Sequence, residues 1–322
     1  MVACLACSSS PSDTPPPTIP AAQAAVSPAV TGKPDGIVLP LAGAGEAAVF
    51  EPATSSLTVL ERAPASGSQL IVYPTSGPVR TIPLPAPATA IVADGGGTVF
   101  AAAKGGYFSV DVRAGTVDRF DVDGEAATDF TAITRRADGK VVLGSAAGAV
   151  YTLGSATAVA ARLQIFARVD ALVAVGDTVA VLDRGQTSVT MVDASGTKQE
   201  HALRAGEGAT TMVGDPLGRL LVADTRGDGL LVFGTDPLIL RQRSPVRGAP
   251  YGLAGSRSLA WVSETATNSV VGYDLATGIP VEKVRHRTVQ QPNSLAFDDR
   301  TGTLFVVSGA GAGVQVITGA AR

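Results

Sequence analysis

From residue 36 onward, apolar residues come in short runs rich in Val, Leu, Ala and Thr, each closed by Gly or Asp. Few windows hold i, i+3, i+4 spacing for more than two turns, so the pattern predicts strands rather than helices. One segment type recurs: an apolar strand, an Asp/Gly turn, a second apolar strand, a polar loop and a third strand. First strands are predicted at Ala47, Thr89, Thr131, Asp170, Thr210, Tyr251 and Asn293, spaced about 40 residues apart. Second strands follow at Leu57–Leu60, Thr98–Ala101, Lys140–Gly144, Thr178–Leu182, Arg219–Ala223, Leu259–Ser263 and Thr303–Val307. The turns between them, such as Asp94-Gly95-Gly96-Gly97 and Ala137-Asp138-Gly139, carry the residues that tolerate positive φ or bond their own backbone.

A period near 40 with about four strands per unit is the signature of a β-propeller. Seven first strands predict an all-β, seven-bladed ring over residues 37–322, with blades near 42–84, 85–124, 125–166, 167–206, 207–246, 247–288 and 289–322. The last unit runs out after its third strand, Val314–Ile317, and needs a fourth from elsewhere. Ile37–Leu41 matches Thr81–Leu84 in content and in phase before a first strand. It is therefore predicted to complete the last blade, which closes the ring and leaves no unpaired terminal edge.

Composition removes most chemistry. The chain has 322 residues, 45% hydrophobic and 16% charged, with a net charge of −3. No basic field exists to recruit nucleic acid. Both cysteines lie within the first seven residues, which excludes disulfide frameworks, thiol catalysis and Cys-bearing metal sites from the body. The two histidines, His201 and His286, fall in predicted outer strands, away from the axis where a triad or metal centre would form. The Gly-rich runs lead into no helix that could receive phosphate.

The opening is distinct. Leu5-Ala6-Cys7 followed by Ser8-Ser9-Ser10-Pro11 reads as the remnant, over residues 1–7, of a bacterial lipoprotein signal, with Cys7 as the lipidated residue. Between Ser8 and Pro34 stand seven prolines and only two charges, Asp13 and Lys33. Such a stretch cannot offset its ordering entropy by burial, so residues 8–36 are predicted to form a disordered, partly polyproline-like tether. The expected address is the outer face of a cell membrane, reached through the lipid anchor.

Several strings carry a resemblance. Phe166-Ala167-Arg168-Val169-Asp170-Ala171-Leu172, Asp183-Arg184-Gly185-Gln186-Thr187-Ser188-Val189-Thr190, Ala249-Pro250-Tyr251-Gly252-Leu253-Ala254-Gly255-Ser256 and Gln290-Gln291-Pro292-Asn293-Ser294-Leu295-Ala296 resemble the mycobacterial LppL lipoprotein family. The resemblance runs from about residue 40 to the end. It implies a cell-envelope lipoprotein with a YVTN/quinoprotein-like propeller, a lipidated Cys7 and no established reaction.

On the propeller frame, the connections between blades and the second-to-third strand turns share one face. That face collects the candidate ligand-binding residues Asp129, Arg168, Asp170, Asp183, Arg184, Asp224, Arg226, Tyr251, Glu264, Asn268 and Asn293. Asp183, Asp224 and Glu264 end the second strands of three consecutive blades. They could rim the channel as oxygen ligands for a hard cation such as Ca²⁺, or cap backbone N–H groups and pair with the arginines. Glu264, Asn268, Asn293 and Asp224 are the residue types of a Ca²⁺-dependent lactonase set, and quinone-dependent dehydrogenases share the architecture. The preferred expectation is a monomeric binding or scaffold module for an envelope protein or small ligand, without catalytic residues or a resident cofactor. A channel-centred enzyme is the alternative.

Overall fold

The computed structural model describes residues 17–62 and 67–322, so Cys4, Cys7 and the lipidation expectation lie outside the described residues. The described chain forms seven sheets, each of four antiparallel strands in sequential order except one. The innermost strands are Gly45–Glu51, Ala88–Ala93, Phe130–Arg135, Ala171–Val175, Ala209–Gly214, Pro250–Gly255 and Pro292–Asp298. Each falls where the hydrophobic repeat placed it. In blade four the strand starts one residue late, because Asp170 donates its N–H to Leu182 O and its carboxylate turns to the loop.

The exception is the last sheet. Ile37–Leu39 pairs antiparallel with Val314–Ile317, placing Ile37 opposite Val316 and Leu39 opposite Val314. The predicted closure holds, but the strand is shorter than Ile37–Leu41. Pro40 has no N–H to give, and its carbonyl instead accepts the Tyr73 hydroxyl at 2.7 Å. Beside this closing strand, His286 Nε2 lies 2.9 Å from Ala320 O and its Nδ1 3.3 Å from Asp35, so one side chain ties blade six to both ends of the ring.

The core lies between blades. Leu60, Leu70 and Val72 of blade one pack with Val99, Phe108 and Val110 of blade two, and the same pattern recurs around the ring. Alternation explains it: every second residue of a middle strand faces one neighbouring blade, so both faces are buried and both are apolar.

Candidate functional site

Strand direction fixes the geometry of the loop face. First strands begin there, second strands end there, third strands begin and fourth strands end, so each blade contributes one turn and one inter-blade connection. In six blades the pairing of first and second strands slips at this end, leaving bulges at Glu46, Thr89, Thr131, Thr210, Tyr251-Gly252 and Asn293. A bulge re-aims its side chain, and here the threonines are turned onto the next blade. Thr89 Oγ1 donates to Phe130 O at 2.6 Å, Thr131 Oγ1 to Val169 O, and Thr210 meets Thr225, which donates to Pro250 O. These latches were not recognised from sequence. Their signal was present in the repeated Thr at the start of three first strands.

The acids at the second-strand ends form the frame. Asp183, fully buried, accepts from the backbone N–H of Ala167, Arg168 and Gln186. Asp224, also fully buried, accepts from Glu207, Gly208 and Gly227. A Cβ on Gly206 or Gly227 would collide with the Asp224 carboxylate, which explains glycine at both positions. Glu61 occupies the matching place in blade one and accepts from Gly43 N; it follows directly on the predicted strand Leu57–Leu60 and was not among the candidates. Each of these three carboxylates satisfies N–H groups of the loop that enters its own blade.

Glu264 departs from this pattern. It is buried and turns outward to Ser269 and to Arg285 on the outermost strand Val281–Arg287. Arg285 also grips Glu282, whose pKa is held below the ordinary carboxylate range chiefly by that hydrogen bond. Burial, helped by Glu264 and Glu282, pushes the Tyr273 hydroxyl up to about 12. Asn268 and Asn293 are linked instead through Gln291, whose N–H reaches Asn268 Oδ1 at 3.2 Å and whose Nε2 reaches Asn293 Oδ1 at 2.9 Å. Asp224, Glu264 and the Gln291-linked asparagine pair thus serve three separate sets of partners and share no common centre. Among the described residues, no three His, Cys, Asp or Glu side chains gather so as to hold a metal.

The remaining candidates scatter. Arg168 pairs with Asp170 at 2.9 Å. Asp129 stays exposed, its backbone bridged to Lys104. Tyr251 is half-buried on its bulge. At the opposite end of the channel, the first strands line an open depression of about 480 Å³ walled by Val49, Ile91, Ile133, Leu172, Met212, Leu253 and Leu295 among others. Thr134 is the single polar side chain in that lining.

The largest difference from expectation concerns residues 17–36. Rather than a free tether, the stretch Thr18–Pro28 lies extended along the loop face of blades four to seven. Ile19 donates its N–H to Gly185 O at 2.8 Å. Arg226 holds Pro20 O at 2.6 Å and Arg184 holds Ala22 O, so these two arginines serve peptide carbonyls and not the neighbouring acids. Thr265 Oγ1 accepts from Ala25 N at 3.1 Å. Gln291 takes Ser27 N and gives to Ala25 O, Gln290 gives to Ser27 O, and Asn268 gives to Pro28 O at 2.8 Å. Farther on, Asp35 is pinned by the Arg287 backbone. Composition registers only apolar burial, whereas this segment is held through its backbone.

The loop face under the strap is itself strained. Thr187, Asp228 and Asn268 close the second-to-third strand turns of blades four to six at φ of 46°, 45° and 50°. Ala249 and Gln291, on the connections into blades six and seven, also have φ above 50°. In blades two, three and seven the turn-closing residue is Gly105, Gly148 and Gly313, for which such φ costs nothing. Non-glycine residues held there cost of order 1–3 kcal/mol each and persist where the side chain is needed. Here the Thr187 hydroxyl donates to Ala205 O, and the Asn268 amide reaches the strap.

No protein-family model and no curated protein sequence matches the chain. Solved structures do. A streptogramin B lyase aligns with TM-score 0.70 at 9% identity, over 89% of this chain and 97% of that one. Hydrazine synthase of Kuenenia stuttgartiensis aligns with TM-score 0.71 at 14% identity, over 90% and 100%. Virginiamycin B lyase of Staphylococcus aureus aligns with TM-score 0.69 at 11% identity, over 88% and 99%. Likeness at such identities establishes the seven-bladed propeller and stops there. On the LppL resemblance these comparisons are silent.

Proposed function

We propose that this protein is a cell-envelope lipoprotein of the LppL kind, whose propeller works as a binding module through the loop face of blades four to seven. The observation that carries the reading is the use of polar side chains on that face. Asp183 and Asp224 are spent on framework, while Arg184, Arg226, Asn268 and Gln291 grip an extended segment of peptide. A face built this way recognises a partner by directed hydrogen bonds. The anchor rests on Leu5-Ala6-Cys7 and the serines after it. Metabolic labelling with a fatty acid checks it: label and detergent-phase partitioning should be lost in Cys7→Ser and kept in Cys4→Ser. Label retained by Cys7→Ser overturns the anchor.

A channel enzyme is the competing class. In virginiamycin B lyase, replacing one histidine by alanine gives a catalytically inactive protein. Here His201 and His286 both lie on outermost strands, far from the axis. The binding reading expects the purified protein to carry no stoichiometric Ca²⁺ by elemental analysis. A bound metal, lost together with a turnover in Glu264→Ala or Asp224→Ala, would reverse the choice.

A further inference from the structure

We infer that the loop face of blades four to seven is a recognition site for extended, uncharged peptides, and that residues 18–28 are its tethered occupant. The inference rests on the binding reading above and names its ligand class. Three observations carry it. First, the site reads the backbone: the N–H groups of Ile19, Ala25 and Ser27 and the carbonyls of Pro20, Ala22, Ala25, Ser27 and Pro28 are all engaged by the ring. One side chain is read as well, Ser27, whose hydroxyl donates to Thr265 O and accepts from Gln291 N. Second, the occupant contributes almost nothing to the core. Ala22 and Ser27 are buried, but Val26 is 92% exposed. A segment held by polar contacts with so little apolar burial opens locally, well below the free energy of unfolding the ring. Third, the strained residues Asn268, Ala249 and Gln291 lie on this face, where their conformations hold the gripping side chains in place.

The ring does not depend on the strap for closure, which comes from Ile37–Leu39. The strap can therefore leave while the propeller stays folded, exposing Arg184, Arg226, Thr265, Asn268 and Gln291 to a peptide from another protein. Its sequence over this stretch, Thr18-Ile19-Pro20-Ala21-Ala22-Gln23-Ala24-Ala25-Val26-Ser27-Pro28, carries no charge and two prolines. The ligand it mimics is an extended Pro/Ala-rich segment with a serine near its end.

The test uses the full chain with Ala22→Arg and Ser27→Arg, which places bulk and charge where the strap is buried. The probe is a fluorescein-labelled synthetic peptide of residues 17–30. The released variant should bind it at least about tenfold more tightly than the unaltered chain, where the tethered copy competes at an effective concentration in the millimolar range. Methylating the peptide amides of Ile19, Ala25 and Ser27 should cost tenfold or more in affinity, and changing the exposed Gln23 and Val26 to alanine less than twofold. Equal binding by both chains, or by the methylated peptide, overturns the inference. Should the released variant fail to fold, hydrogen exchange on the unaltered chain decides. The amides of Ile19, Ala25 and Ser27 should exchange well before those of Val314–Ile317, and exchange only together with them would show a purely structural strap. Loss of peptide binding by a chain still free of metal and turnover defeats this inference alone. Metal-dependent turnover defeats the binding reading itself.

Discussion

Single side chains at the loop face divide by what they leave behind when removed. Asp224→Ala strips the acceptor from three backbone N–H groups in a fully buried place. It should cost about 2–4 kcal/mol and lower Tm by about 5–10 °C. Arg168→Ala removes an ion pair whose arginine side chain is 48% exposed, and should cost under about 1 kcal/mol. Thermal melts of the two variants side by side check the ranking. Two phenols supply a pH signature. Burial, with Glu61 nearby, pushes Tyr73 up to about 12, and burial pushes Tyr273 to the same value. An unfolded chain ionises tyrosine near 10, so their contribution to stability is complete below pH 10 and is lost as pH rises from 10 toward 12. Tm should fall across that window, and the fall should be shallower in the Tyr73→Phe, Tyr273→Phe double variant.

At the scale of elements, the closing strand and the strap make opposite predictions although they adjoin. Deleting residues 36–42 opens the edge of Val314–Ile317 and should lower Tm sharply; deleting 17–30 should lower it by only a few degrees. Gly36→Val is a gentler probe of the same joint. Gly36 has φ of 73°, and a Cβ there would strike the Val316 carbonyl. Circular dichroism melts should therefore group Gly36→Val with the first deletion. The strands themselves were legible in the sequence because blade packing demands apolar residues on both faces of middle strands, and Ser56–Arg62 or Thr178–Asp183 can hardly read otherwise. Closure was legible because Ile37–Leu39 keeps the phase of a fourth strand. The docking of Thr18–Pro28 was not, since hydrogen bonds to main-chain atoms leave no trace in residue type. The direction of Glu264 was not legible for a related reason: its position matches Asp183 and Asp224, and one added methylene plus an Arg285 opposite sends it outward.

For the molecule as a whole, the closed ring of seven four-stranded sheets turns the innermost edges to the channel and the outermost strands to the outside, among the described residues. Those outer edges are blunted by Pro83 in Arg80–Leu84, by Arg241 and Arg243 in Leu238–Pro245, and by the charges of Val281–Arg287. We expect sedimentation equilibrium at tens of micromolar to give the 32.3 kDa monomer, and a concentration-dependent dimer would contradict the blunted-edge argument.

Joining the beginning of the chain to its end also imposes a schedule on synthesis. Ile37–Leu39 emerges from the ribosome long before Val314–Ile317 exists, a wait on the order of tens of seconds at ordinary elongation rates. During that interval it is an unsatisfied apolar strand, the kind of segment that recruits other chains. Its brevity and its neighbours answer the hazard. Only three residues pair, and Pro34 and Pro40 stand on either side, so a nascent chain offers too short a template for a stranger to extend.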